Sequence, residues 1–165
     1  MITMIDEKSR FGCRSGAIIY NNDKSKVLLE KQDNVRYLFP GGRIDVHEDS
    51  NAAIIRELEE ELKLKPDLKL KYILEMFLKT PKKRYHEIGF YYITTINEDE
   101  VSNKVKNQDG DGIFEWIPVD KLKDCDIVAK PIKEKIFNGE INNSVLEHII
   151  YREYDQGEYW YNKSK

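Results

Sequence analysis

Residues 40–64 constrain the fold more than any other part of this 165-residue chain. Pro40-Gly41-Gly42 stops a short apolar run, Tyr37-Leu38-Phe39, and lets the backbone bend sharply. A helical pattern follows over residues 49–62, with Asp49 or Ser50 as its cap and Pro66 barring any continuation. At about 100° per residue, Ala52, Ala53, Ile54 and Ile55 begin an apolar face that Leu58 and Leu62 continue. Glu57, Glu60 and Glu61 share the neighbouring arc, while Glu59 points to solvent. Such a helix must bury one flank against other structure and keep three carboxylates along the border of that contact.

The rest of the chain supplies strands. Residues 11–20 and 27–29 read as a hairpin around the turn Asn21-Asn22-Asp23-Lys24-Ser25. Residues 69–78 and 87–95 read as strands, 103–112 as a polar loop, and 114–119 as a short strand broken by Pro118. Residues 132–137 and 144–153 read as helices. Strands, helix, strands and helix without regular βα alternation favour a mixed α/β sandwich over a doubly wound parallel sheet. The length suits one domain over residues 1–165, and no repeat or linker rich in Gly, Ser or Pro divides it.

Charge and composition remove several functions. With 27 Lys and Arg against 30 Asp and Glu, the net charge of −3 argues against a protein that coats nucleic acid or anionic membrane. No apolar run approaches the roughly 18–20 residues of a membrane span. The start, Met1-Ile2-Thr3-Met4-Ile5-Asp6-Glu7-Lys8, lacks a secretory apolar core, which favours a cytoplasmic location. Cys13 and Cys125 are too few for a disulfide framework or a zinc site. The charge is unevenly spread: seven acids and one base leave residues 45–61 at −6, and the remainder at +3.

Three carboxylates on one helical stripe repel by a few tenths of a kcal/mol per pair on an exposed helix, roughly, and by more near a core. A divalent cation removes that penalty, and an all-oxygen donor set points to Mg²⁺ or Mn²⁺ rather than zinc. Read alone, E-x-x-E-E is more simply a solvated acidic face. The upstream residues argue against that. Gly41 and Gly42 allow close backbone approach, and their carbonyls are themselves hard donors. Arg56 is suited to hold Glu48 in a bidentate pair and to pin the glycine loop against the helix.

The segment resembles the Nudix box, G-x5-E-x7-R-E-U-x-E-E-x-G-U, where U is bulky and apolar. Gly42, Glu48, Arg56, Glu57, Leu58, Glu60, Glu61 and Leu64 fall on its fixed positions, and Lys63 alone departs, standing where the family has glycine. A residue there commonly takes the left-handed conformation, so lysine costs roughly 1 kcal/mol without removing a ligand. The resemblance to the MutT-like Nudix hydrolases implies an α/β/α sandwich with a mixed central sheet. It also implies hydrolysis of a pyrophosphate bond in a nucleoside di- or triphosphate derivative, in nucleotide sanitising or housekeeping. By the same resemblance Glu57, Glu60 and Glu61, with Gly41 or Gly42, hold the cation, and Glu48 and Arg56 support them. The partner is a nucleotide-type small molecule. A homodimer is compatible with it, as many relatives dimerise. The general base is open: Glu57 leads a set that includes Glu87, Asp109, Asp111 and Glu115.

Arg43 and Arg14 are candidates for substrate phosphate. Tyr85 and Glu87 lie in an aromatic stretch, Arg84 to Tyr92, that suits either base stacking or alternating core packing. The basic residues Lys79, Lys82, Lys83 and Arg84 read as a solvated hairpin tip. Asn107 to Gly112 opens like a calcium loop, but Pro118 stands where that loop needs Glu. Rival functions are an ADP-ribose or nucleotide-sugar pyrophosphatase, a non-catalytic nucleotide sensor, and an interaction scaffold using the Tyr-rich strands.

Overall fold

Ala17, Ile18 and Ile19 are consecutive and completely buried, so the strand that carries them is covered on both faces. The computed structural model describes residues 1–32, 36–102, 104–108, 110–142 and 145–154. In chain order it forms β1 (Thr3–Ile5), β2 (Ser9–Asn21), β3 (Lys26–Lys31), β4 (Arg36–Leu38), β5 (Gly41–Arg43) and α1 (Ser50–Leu62). These are followed by β6 (Lys69–Lys79), β7 (Arg84–Ile96), β8 (Val105–Lys106), β9 (Ile113–Pro118), β10 (Asp126–Ile127), α2 (Lys130–Phe137) and β11 (Glu147–Tyr154).

The sheet is mixed. β2 is its axis: β7 runs parallel to it along the full length from Ser9 to Asn21, and the other edge is shared in sequence by β1, β5 and β3. β6 pairs antiparallel with β7, and β9 with β3. Alternation along β2 sends Ala17 and Ile19 to one face, with Leu28, Ile54, Leu58, Phe114 and Trp116. Ile18 and Tyr20 go to the other, with Leu29, Tyr72, Leu74, Ile132 and Ile136. Helix α1 therefore covers one face and α2 the opposite one, an α/β/α sandwich. Ile54 and Leu58 are each fully buried, contributing about 1.5–3 kcal/mol apiece.

The expected hairpin is present, with Ile19 opposite Leu28 and Tyr20 opposite Val27. Two expectations fail. The helix expected over residues 144–153 is absent from residues 145–153; β11 runs parallel to β6, from Glu147 beside Tyr72 to Tyr154 beside Lys79. Its side chains alternate between partly buried and exposed, the period of a strand on a sheet edge. Ile149, Ile150 and Tyr151 favour that state, and the open edge of β6, remote in sequence, decides it. Ser144 lies outside the described residues. Ala52 is exposed rather than part of the apolar face of α1, because burial begins one position later with Ala53 and Ile54. The polar loop before β9 also contains β8, which pairs with Ile113 and Phe114.

Candidate active site

Helix α1 begins where Asp49 caps it, its carboxylate accepting the Asn51 and Ala52 amides at 2.9 Å each. Ser50 takes no part in the cap; its hydroxyl meets the Tyr92 hydroxyl at 2.8 Å. The helix ends at Lys63, which adopts φ 58° and ψ 31°. The left-handed end that the box glycine normally provides is thus retained by a lysine, whose amide donates to the Glu59 carbonyl at 3.1 Å. Glu59 is exposed, as its helical position implied, and pairs with Lys65.

Strand β5 lays the two glycines against β2, with Gly41 opposite Gly16 and Gly42 opposite Ser15. Gly41 has φ +127°, and a Cβ there would lie 2.3 Å from the Ser15 carbonyl oxygen. At Gly42 a Cβ would lie 2.4 Å from a Glu57 carboxylate oxygen. The glycine strand is therefore the floor on which the helix carboxylates rest. The Gly41 amide donates to Glu61 Oε2 at 3.1 Å, and the Gly41 carbonyl accepts from Arg14 Nη2 at 3.2 Å.

Arg56 organises the acidic stripe. Its Nε and Nη2 donate to the two Glu48 carboxylate oxygens at 2.8 and 2.9 Å. Nη1 reaches Glu57 at 2.7 Å and Glu60 at 3.2 Å, and Nη2 also reaches the Arg43 carbonyl at 3.1 Å. The hydrogen bonds from Arg56, then the Asp45 amide, hold the Glu48 carboxyl down to about 2. Glu57 is pushed up by burial, against the pull of Arg56. Glu61, only 7% exposed, is pushed up to about 8 by burial first and then by Glu30. Burial, with Glu30 close by, thus disfavours the ionised carboxylate when no counter-charge is present.

By strand alternation Arg14, Tyr85, Glu87 and Glu115 all fall on the sheet face opposite α1. Arg14, Tyr85 and Glu87 line a neighbouring cavity of about 300 Å³ together with Arg10, Arg36 and Arg43. Burial raises Glu87, opposed by Arg14 and Arg10. The Arg43 side chain donates to Thr3 Oγ1 at 2.8 Å while its backbone carries the glycine strand. Tyr91 and Tyr92 are core residues on opposite faces, so alternating packing accounts for much of the aromatic stretch. Glu115 is not beside the stripe: its neighbours Phe114 and Trp116 pack on the α1 side, and its own carboxylate accepts from the Tyr37 hydroxyl at 3.3 Å. Asp111 is exposed, and Asp109 lies outside the described residues.

Sequence reasoning missed Glu30 and Asn107. Glu30 is 3% exposed at the end of β3, and Asn107 Nδ2 joins it at 2.7 Å to Glu61 at 3.0 Å. A glutamate closing the run Val27-Leu28-Leu29 was the available signal, since a carboxylate in a buried strand needs a partner. Its partners are 31 and 77 positions away, and local patterning cannot name them.

Among the described residues no three His, Cys, Asp or Glu side chains form a ready-made metal cage. The donor set still fits Mg²⁺, which is commonly held by one or two carboxylates and otherwise by water and substrate phosphate. Glu57 and Glu61 at the glycine strand, with Glu60 beside them, are oxygen donors of that kind.

The model of the NUDIX domain matches residues 13–137. Among solved structures, the MutT protein of Bacillus halodurans aligns with 86% of this chain and 89% of its own, at 20% identity and a TM-score of 0.68. The MutT protein of Methanosarcina mazei Go1 aligns with 84% of this chain and 100% of its own, at 18% identity and a TM-score of 0.58. The NUDIX domain of Shewanella oneidensis NrtR, solved with ADP ribose, aligns with 83% and 90% at 14% identity and a TM-score of 0.58. No curated protein matches by sequence.

Proposed function

The chain belongs to the NUDIX domain family as a pyrophosphohydrolase, and we propose that it cleaves a nucleoside di- or triphosphate derivative with the help of Mg²⁺ or Mn²⁺. The observation that carries this reading is the acidic border of α1 resting on the glycine strand, beside a cavity lined by Arg10, Arg14, Arg36 and Arg43. Negative charge held next to positive charge suits a polyphosphate that arrives with its cation.

In this proposal Glu57, Glu60 and Glu61, with a Gly41 or Gly42 carbonyl, hold the ion. A bound divalent ion supplies charge neutralisation for the phosphates and a lower pKa for attacking water. Arg56 and Glu48 keep the carboxylates in register, acting through them rather than on substrate. Arg14 and Arg43 orient the phosphates, while Tyr85 and Glu87 border the remainder of the substrate. Glu57 takes the proton of the attacking water. The new bond joins water oxygen to phosphorus, and the bridging oxygen leaves with the electron pair.

A panel of nucleoside triphosphates, ADP-ribose and nucleotide sugars, read by mass spectrometry with Mg²⁺, identifies the substrate and the bond broken. Glu60→Gln and Glu61→Gln are expected to lose most turnover. Undiminished turnover in both overturns the site, and binding without cleavage of any panel member favours a nucleotide sensor.

A further inference from the structure

Resting on the cation reading above, we infer that Asn107, backed by Glu30, is a positioning residue that fixes the Glu61 carboxylate for the divalent ion. Three observations outside the sequence motif converge on this contact. The first is the bridge itself. One amide nitrogen with two hydrogens donates to both buried carboxylates, at 2.7 Å to Glu30 and 3.0 Å to Glu61. Without that donor the two acids would face each other directly in a site of low dielectric.

The second is that the surrounding loop is built to deliver this amide. The Asn107 backbone N–H donates to the Gly112 carbonyl at 2.8 Å, joining the two ends of the loop. The Gln108 backbone N–H donates to the Glu61 backbone carbonyl at 3.2 Å, tying the same loop to α1. The third is Gly112, where a Cβ would stand 2.0 Å from a Glu30 carboxylate oxygen. Any larger residue there would push Glu30 from the position in which it accepts from Asn107.

The consequence for Glu61 is geometric. Its Oε2 accepts from the Gly41 amide and its Oε1 from Asn107, so one donor on each oxygen sets the plane of the carboxylate. Each oxygen keeps a second lone pair, and their directions follow from the two donors. Losing either donor lets the side chain rotate. A carboxylate that must also bind a cation then spends free energy on being ordered.

Mn²⁺ binding to the substrate-free protein, followed by electron paramagnetic resonance, tests this without any turnover. For Asn107→Ala the Mn²⁺ dissociation constant is expected to rise about 10- to 100-fold, the scale of a lost outer-shell partner. Asn107→Ala with an affinity within twofold of wild type overturns the inference. Because Asn107→Ala leaves two buried acids facing each other, the double variant Asn107→Ala/Glu30→Met is the control for folding. It removes the repulsion and keeps the space filled. Its melting temperature is expected to recover while Mn²⁺ affinity stays low, whereas full recovery of affinity shows that Asn107 only relieves charge and overturns its positioning role. Glu30→Gln keeps an acceptor for Asn107 and is expected to bind Mn²⁺ within threefold of wild type. A wild-type protein that binds no Mn²⁺ overturns the cation reading itself, an outcome separate from the two above.

Discussion

Arg56 holds Glu48 through two parallel hydrogen bonds, Nε to Oε1 at 2.8 Å and Nη2 to Oε2 at 2.9 Å. The two residues lie eight positions apart, and the pair joins the loop before α1 to the helix that carries the carboxylates. The same guanidinium touches Glu57, Glu60 and the Arg43 carbonyl, so its planar fork serves five acceptors at once.

Arg56→Lys is therefore expected to behave as a severe substitution. A lysine ammonium cannot bridge Glu48 and span to Glu57 together. Stability should fall by about 1–3 kcal/mol in urea unfolding, and turnover by tenfold or more, roughly. Because Glu48 titrates at about 2 in the folded protein against an ordinary 4.5, its contribution to stability is present above about pH 4.5. That contribution is lost as pH falls through about 2, and Glu48→Gln should remove this part of the acid sensitivity.

The two glycines of β5 are expected to fail differently. Gly41→Ala meets the Ser15 backbone at a φ of +127°, so the strand itself must move. The loss should be on the order of 1–3 kcal/mol, read in thermal unfolding. Gly42→Ala instead meets the Glu57 carboxylate, the far end of a flexible side chain. Its melting temperature should stay near that of wild type while metal affinity and kcat fall.

Lys63→Gly should stabilise the protein by about 0.5–1 kcal/mol, because glycine adopts φ near +58° without a Cβ penalty. For a chain of this length that is a rise in Tm of about 1–4 °C. Activity with Mg²⁺ should be unchanged, since no oxygen of Lys63 enters the site.

Stability of the metal-free protein should decline as pH rises from about 4.5 through about 8. The folded state keeps a proton on Glu61 in that window and the unfolded state does not, so raising pH favours unfolding. Thermal unfolding of Glu61→Gln should show a flatter profile over the same range. Saturating Mg²⁺ should flatten the wild-type profile too, because a bound cation favours the ionised carboxylate.

Much of this molecule was legible in its sequence because the relevant relationships are local. Asp49, the spacing of Ile54 and Leu58, the Glu57–Glu60–Glu61 arc and the Glu48–Arg56 pair all lie within 24 residues, where helical geometry alone fixes who meets whom. The left-handed turn at Lys63 belongs to the same class, being dictated by the chain that follows the helix. What the sequence by itself could not determine depends on contacts across the chain. Residues 147–154 become a strand because β6 offers an unpaired edge 75 positions earlier, and hydrogen-bonding groups of that edge outweigh a weak helical pattern. Glu115 is set apart from the stripe by the sheet face on which register puts it, and a shift of one residue would have reversed that. Glu30 and Asn107 reach Glu61 only after β3, the loop before β9 and α1 have packed together. Tertiary structure alone brings such separated polar groups into a buried site, where each must find the other to offset the loss of water.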